Sequence, residues 1–278
     1  MQALAYAFLA VFAAALIRII LRMLALSGAR PFNTLIIYNL GSFLIILSVF
    51  GVPRLDNLRT IDAAILLLVG ILWTAAMWLD LRSAKELDAS TGELFGSCGF
   101  IITSLAGVFI LGDRLSWGGA AGMLLVVATS AVGISALRFS LKGCALRTLA
   151  VCIGGAATIL SKVLSATLPI ELIMLVGVLV PGISYLILGF REVRELPLII
   201  AKTKGWILAI PLLVTIDYFA AMKALALGSL VVSLTIFQSC IVFVFLIEWL
   251  VLRQSDRLLK RGIACSCALA GVILIIAT

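Results

Sequence analysis

The sequence is a succession of apolar runs, each long enough to cross a bilayer and each parted from the next by a short link. A spanning helix needs about 20 apolar residues to cross roughly 30 Å of hydrocarbon. With 64% hydrophobic residues, 12% charged residues and a mean hydropathy of +1.27, the 278-residue chain lacks the polar surface of a soluble domain. Lipid is therefore the solvent for most of its exterior. The division into runs predicts ten spans: Ala3–Ala25, Thr34–Gly51, Asp62–Arg82, Ala89–Leu111, Trp117–Leu137, Leu146–Ala166, Ile170–Phe190, Gly205–Ala226, Ser229–Leu252 and Leu258–Ala277. The expected fold is all-α and polytopic, with links too short for a separate soluble domain. Arg18 and Arg22 follow the first run instead of preceding it, so that run is read as a span and not as a signal peptide.

The breakers agree with these boundaries. Pro31, Pro53, Pro169 and Pro197 fall at span ends, where a missing amide is tolerated. Pro181 and Pro211 fall inside spans and favour kinks. The links on one side hold Arg22, Arg30, Arg82, Lys85, Arg138, Lys142, Arg147, Arg191, Arg194, Lys202, Lys204, Arg253, Arg257, Lys260 and Arg261. The other side holds Arg54, Arg59 and Arg114. This asymmetry puts the first set in the cytoplasm and both termini outside, in a multi-pass protein of the cell (inner) membrane. The net charge of +8 is thus a topology signal and gives no reason to invoke nucleic acid. The six cysteines have no zinc-like partner set, and histidine is absent. Neither a metal nor another cofactor is implied, and any proton coupling would fall to a carboxylate.

The halves resemble each other weakly. Ala84-Lys85-Glu86-Leu87-Asp88-Ala89-Ser90 parallels Met222-Lys223-Ala224-Leu225-Ala226-Leu227-Gly228-Ser229. Asp113-Arg114-Leu115 parallels Asp256-Arg257-Leu258, and Ala13–Arg18 parallels Ala156–Lys162. Five spans repeated once must insert in opposite senses, because five is odd. Two inverted five-helix repeats, residues 1–139 and 140–278, are expected.

With these landmarks, the chain resembles the drug/metabolite transporter superfamily, specifically its ten-span EamA-like members. The resemblance is carried by the stretches from Lys85 to Asp113-Arg114-Leu115 and from Lys223 to Asp256-Arg257-Leu258. Leu111-Gly112-Asp113-Arg114-Leu115 matches the family's ending, and Gly119, Gly122, Gly133, Gly262 and Gly271 fit its glycine-rich terminal spans. The chain departs from the pattern in lacking a Trp-Gly pair in its first span. It also has Asn39 where an arginine is common. The family's termini are usually placed in the cytoplasm, opposite to the charge count, which is followed here.

An ionisable group at depth costs roughly 2.5–3.5 kcal/mol on insertion scales, so each needs a reason. Asp217, beside Tyr218, is the sharpest case, as an amine-binding or proton-coupling group. Asp80 is placed in the matching turn of the other half, nearer a span end. Glu93 lies one turn into the fourth span, where a helix N-terminus alone would favour it. Arg18 and Lys162 are read as matched cations flanking a pathway, or as side chains that snorkel to the interface. Asn39 and Gln238 are candidates for orienting a substrate or for joining helices. Trp73 is too deep for an interfacial anchor and offers an aromatic wall.

These features predict a secondary transporter moving a small polar metabolite, amino-acid-like or an organic anion, by alternating access. A translocase for a lipid-linked phosphate is the alternative. Short links and absent histidines argue against an enzyme. The expected partners are the substrate and the bilayer, with a homodimer left open.

Overall fold

The computed structural model describes residues 2–26, 30–53, 58–87, 92, 96, 103–112, 116–122, 124–125, 140–203, 205–251 and scattered residues between 262 and 274. Helices account for nearly all of them, and no strand occurs among the described residues. The helices are α1 (Gln2–Leu26), α2 (Pro31–Phe50), α3 (Thr60–Glu86), α4 (Leu141–Leu164), α5 (Ile170–Leu188), the short α6 (Leu196–Lys202), α7 (Ala209–Leu227), α8 (Leu230–Gln238) and α9 (Cys240–Val251).

Among the described residues, seven helical segments are long and apolar enough to cross a membrane. They coincide with the expected first, second, third, sixth, seventh, eighth and ninth spans. Most of the fourth, fifth and tenth lies outside the described residues, although 103–111 and 117–122 are helical. Large apolar side chains such as Phe8, Phe12, Leu44, Ile71, Ile187 and Leu212 face outward. On a water-soluble protein such a surface would be an aggregation hazard; against acyl chains it is the required exterior.

Two boundaries differ from expectation in ways that matter. Helix α4 starts at Leu141, five residues before the expected Leu146, because Ser140 caps it: its hydroxyl accepts from the Gly143 amide at 3.2 Å. Arg147, expected in a link, is therefore inside the helix. Helix α3 runs to Glu86, one turn past the expected Arg82, so Asp80 is not at a helix end. Helix α5 continues through Pro181, while Pro211 lies in the first turn of α7 behind the 3-10 turn Trp206–Leu208. The ninth span is broken at Ser239, whose hydroxyl turns back to the Ile236 carbonyl at 2.7 Å.

The helices pack across the chain's midpoint. The most extensive contacts are α3 with α4, α1 with α7, and α2 with α5; α3 also meets α5 and α2 also meets α7. Ile46, Val69, Met174, Val178 and Met222 form a core towards one face, and Leu24, Leu35, Tyr185, Ile207 and Ile210 one towards the other. Near the second core, Arg30 pairs with Glu195 at 2.8 Å, and Asn33 donates to the Glu192 carbonyl at 2.9 Å. The α1–α2 link and the segment after α5 thus share a face, as the charge count requires.

Close packing depends on Gly70 of α3, where an added Cβ would lie 2.6 Å from the Cβ of Val180. At Gly154 the same addition meets only ordinary contacts, the nearest at 3.6 Å from Trp73. Gly70→Ala is expected to lower stability by about 1–3 kcal/mol through overpacking. Gly154→Ala should leave the melting temperature of the purified protein in detergent nearly unchanged; equal melting temperatures for the two variants would contradict this packing.

Candidate functional site

A cavity of about 340 Å³ lies between α1, α3, α4 and α7, with α2, α5, α8 and α9 contributing at its margins. It exists because the inward faces of two helices are small. Ala10 and Ala14 lie one turn apart on α1, and Ala150 and Gly154 one turn apart on α4. Side chains of this size leave space that Leu or Phe would fill.

Much of the lining recurs at a fixed spacing. Ala10, Val11, Ala14, Arg18 and Leu21 of α1 have counterparts 140 residues later in Ala150, Val151, Gly154, Thr158 and Ser161 of α4, all of which also line the cavity. Trp73, Ala76, Met77, Asp80 and Leu81 of α3 have counterparts 141 residues later in Val214, Asp217, Tyr218, Ala221 and Met222 of α7, again all lining. Tyr38 of α2 is matched by Val178 of α5. The two sets share positions and differ in chemistry. Each charged or aromatic residue stands against a small, aliphatic or hydroxyl partner.

A spacing of 140 or 141 residues sets Asp217 against Ala76, where the sequence stretches set it against Asp80, and Lys162 against Arg22, where they set it against Arg18. Arg22 and Lys162 make similar contacts. Arg22 donates to the Ala84 carbonyl near the end of α3, and Lys162 to the Leu225 carbonyl near the end of α7 and to the Gly228 carbonyl at 2.8 Å. Both cations satisfy carbonyls that a helix end leaves without an amide. Lys162 does not line the cavity.

Arg18 does line it, at one end, as a partner of Asp80. Each Asp80 oxygen takes one guanidinium, Oδ2 from Arg18 and Oδ1 from Arg147. Arg147 also donates from Nε to the Gly92 carbonyl at 2.9 Å, and a Cβ at Gly96 would lie 3.1 Å from its Nη2. The glycine spacing there makes room for a guanidinium. Beyond the ion cluster lies a second void of about 30 Å³, also lined by Arg18, Asp80 and Arg147, together with Arg22, Ser83 and Ala84. The cluster therefore stands between the cavity and the basic face.

The other side of the cavity is aromatic. Trp73 and Tyr218 meet edge-on, with ring centroids 6.3 Å apart. Gly177 of α5 admits the Tyr218 ring, since a Cβ there would overlap the hydroxyl. The Trp73 indole N–H, the Ser161 hydroxyl and the Tyr218 hydroxyl are buried near one another without a well-formed hydrogen bond. Asp217 faces the same cavity and makes no hydrogen bond or ion pair among the described residues.

Of the residues singled out in the sequence, the structure brings together Asp217, Tyr218, Trp73, Asp80 and Arg18. Asn39 is elsewhere: it is buried, and its Nδ2 donates to the Leu35 carbonyl of its own helix at 2.8 Å. Glu93 and the Gln238 side chain lie outside the described residues, as do Asp113-Arg114-Leu115 and Asp256-Arg257-Leu258. Sequence reasoning missed Tyr38, Ser161 and above all Arg147. The serine at position 140, placed to cap a helix, was the available signal for Arg147.

No protein-family model matches the chain, and no curated protein matches it. A solved structure described only as "Crystal structure of protein" shares the fold, with a TM-score of 0.73 at 15% identity over 98% of this chain and 95% of that one. At that identity the likeness is one of fold alone, and it runs nearly the whole length of both chains.

Removing one member of a buried ion cluster strands the rest. Asp80→Asn leaves two guanidiniums facing a neutral amide and is expected to lower stability by about 3 kcal/mol. Arg18→Gln should cost less, because Arg147 still neutralises Asp80. Thermal unfolding in detergent gives the order, and a larger loss in Arg18→Gln would refute it.

Proposed function

We propose that this chain is a secondary transporter of the drug/metabolite class, built from ten spans as two inverted five-span halves, residues 1–139 and 140–278. The observation that carries the reading is the cavity's reciprocal lining. Residues 140 or 141 apart occupy matching places along α1 and α4, α2 and α5, and α3 and α7. The paired contacts of Arg22 and Lys162 with helix-end carbonyls repeat that offset. So does the packing, since exchanging halves turns the α3–α4 contact into α7–α1. Inverted repeats with a site between them move by rocking one half against the other, which opens the site to each side in turn.

The cavity suits a small solute. Its volume is near the lower end for ligand pockets, and polar groups interrupt walls that are mainly aliphatic. Asp217, Trp73 and Tyr218 are the substrate-facing groups. The Asp80–Arg147 bridge joins the halves beside the basic face, so opening towards that face requires it to break. No nucleotide-binding motif drives the cycle directly. The aliphatic walls also favour a second reading, a translocase whose substrate carries a phosphate on a lipid.

Reconstitution into liposomes tests both. Counterflow of a soluble metabolite from a mixed pool, lost in Asp217→Asn, is the expected result. Lipid translocation without solute exchange would favour the second reading, and neither activity would refute transport. Tags at the termini test orientation; accessibility from the cytoplasm would overturn the placement of the basic face there.

A further inference from the structure

Four charged side chains line the cavity among the described residues, and three of them form one cluster. Arg18 and Arg147 are both held by Asp80. Among the described residues Asp217 makes no hydrogen bond or ion pair, though it lies on a helix long and apolar enough to cross a membrane. A carboxylate at such depth calls for a positive partner. Arg18 lies within its electrostatic reach but is bound to Asp80; among the described residues no cation touches Asp217, and the space in front of it is the cavity.

The surroundings favour the same charge. Tyr218 follows Asp217 in the chain, Tyr38 lies across from it on α2 within its electrostatic reach, and Trp73 meets Tyr218 edge-on. Aromatic faces attract cations through their quadrupole. An anion would meet the Asp217 carboxylate as a like charge, and would have to compete with Asp80 for the guanidiniums. The indole N–H of Trp73 and the hydroxyls of Ser161 and Tyr218 remain to serve an uncharged acceptor on the same ligand.

We propose that the site recognises its substrate by a positively charged nitrogen, held by Asp217 beside Tyr38 and Tyr218, so that the ligand class is a small organic amine or ammonium. A carboxylate on the ligand is dispensable. The inference rests on the transport reading only in calling the ligand a substrate, and it is tested by binding, without transport.

The full-length protein in detergent is titrated with phenethylamine, phenylalanine and hydrocinnamate, which share one apolar body, and with choline. Intrinsic tryptophan fluorescence and melting temperature report binding. At least one of phenethylamine and choline is expected to bind, and the carboxylate-only hydrocinnamate to bind at least about tenfold more weakly. Asp217→Asn should weaken the amine by about tenfold or more, while Asp217→Glu retains it. The unliganded Asp217→Asn protein should melt no lower than wild type, since the carboxylate it loses has no hydrogen-bond or ion-pair partner among the described residues; a marked fall would place Asp217 in the scaffold and overturn the proposal. Equal binding of hydrocinnamate, amine binding indifferent to Asp217→Asn, or binding by neither amine would also overturn it. Amine binding without counterflow would remove the transport reading and leave this one. Counterflow of carboxylates alone would do the reverse.

Discussion

In hydrocarbon a polar group has no water to fall back on, and the rest of this structure depends on that constraint. It makes the chain helical, because only a helix satisfies its own amides. It then governs what happens at helix ends and at every charged side chain within the bundle. Arg22 and Lys162 lie near helix ends and are turned to carbonyls. Arg18 and Arg147 share the Asp80 carboxylate across α1, α3 and α4, a cluster with a net positive charge. Asp217 stands apart from that cluster and faces the cavity.

The ion cluster and the cavity belong to one arrangement. Small residues on α1 and α4 open the space, and the cluster closes one end of it. Because Asp80 holds one guanidinium from each side of the chain's midpoint, the cluster ties together the two parts that the transport reading requires to move. In the repeat that the transport reading assumes, the positions matching Arg18 and Asp80 are Thr158 and Ala221, which carry no charge. Among the described lining residues the ion cluster thus loads one end of the cavity.

Several features were legible because they depend on local pattern. Seven of the expected spans recur as helices within a few residues, since a run of apolar side chains about 20 long has few other folds in lipid. The depth of Asp217 and Trp73 followed from their distance to the span ends. Register was the least legible feature. Loosely similar stretches set Arg18 against Lys162 and Asp80 against Asp217, and one turn of slippage in an apolar helix changes nothing in composition. Arg147 was hidden for a related reason: five residues of capped helix separate a link from an interior position.

The sequence by itself marked the chain as a multi-pass membrane protein and placed most of its helices, because these depend on hydropathy counted along the chain. Only the tertiary structure decided which charged groups neutralise one another. Arg147 and Asp80 are 67 residues apart, and nothing local brings them together. It also decided that Lys162 serves helix-end carbonyls, that Asn39 bonds within its own helix, and that Asp217 faces the cavity with no ion-pair partner among the described residues. Pairing is a property of helix rotation and contact between distant segments, and a periodic apolar sequence leaves both free until the helices pack.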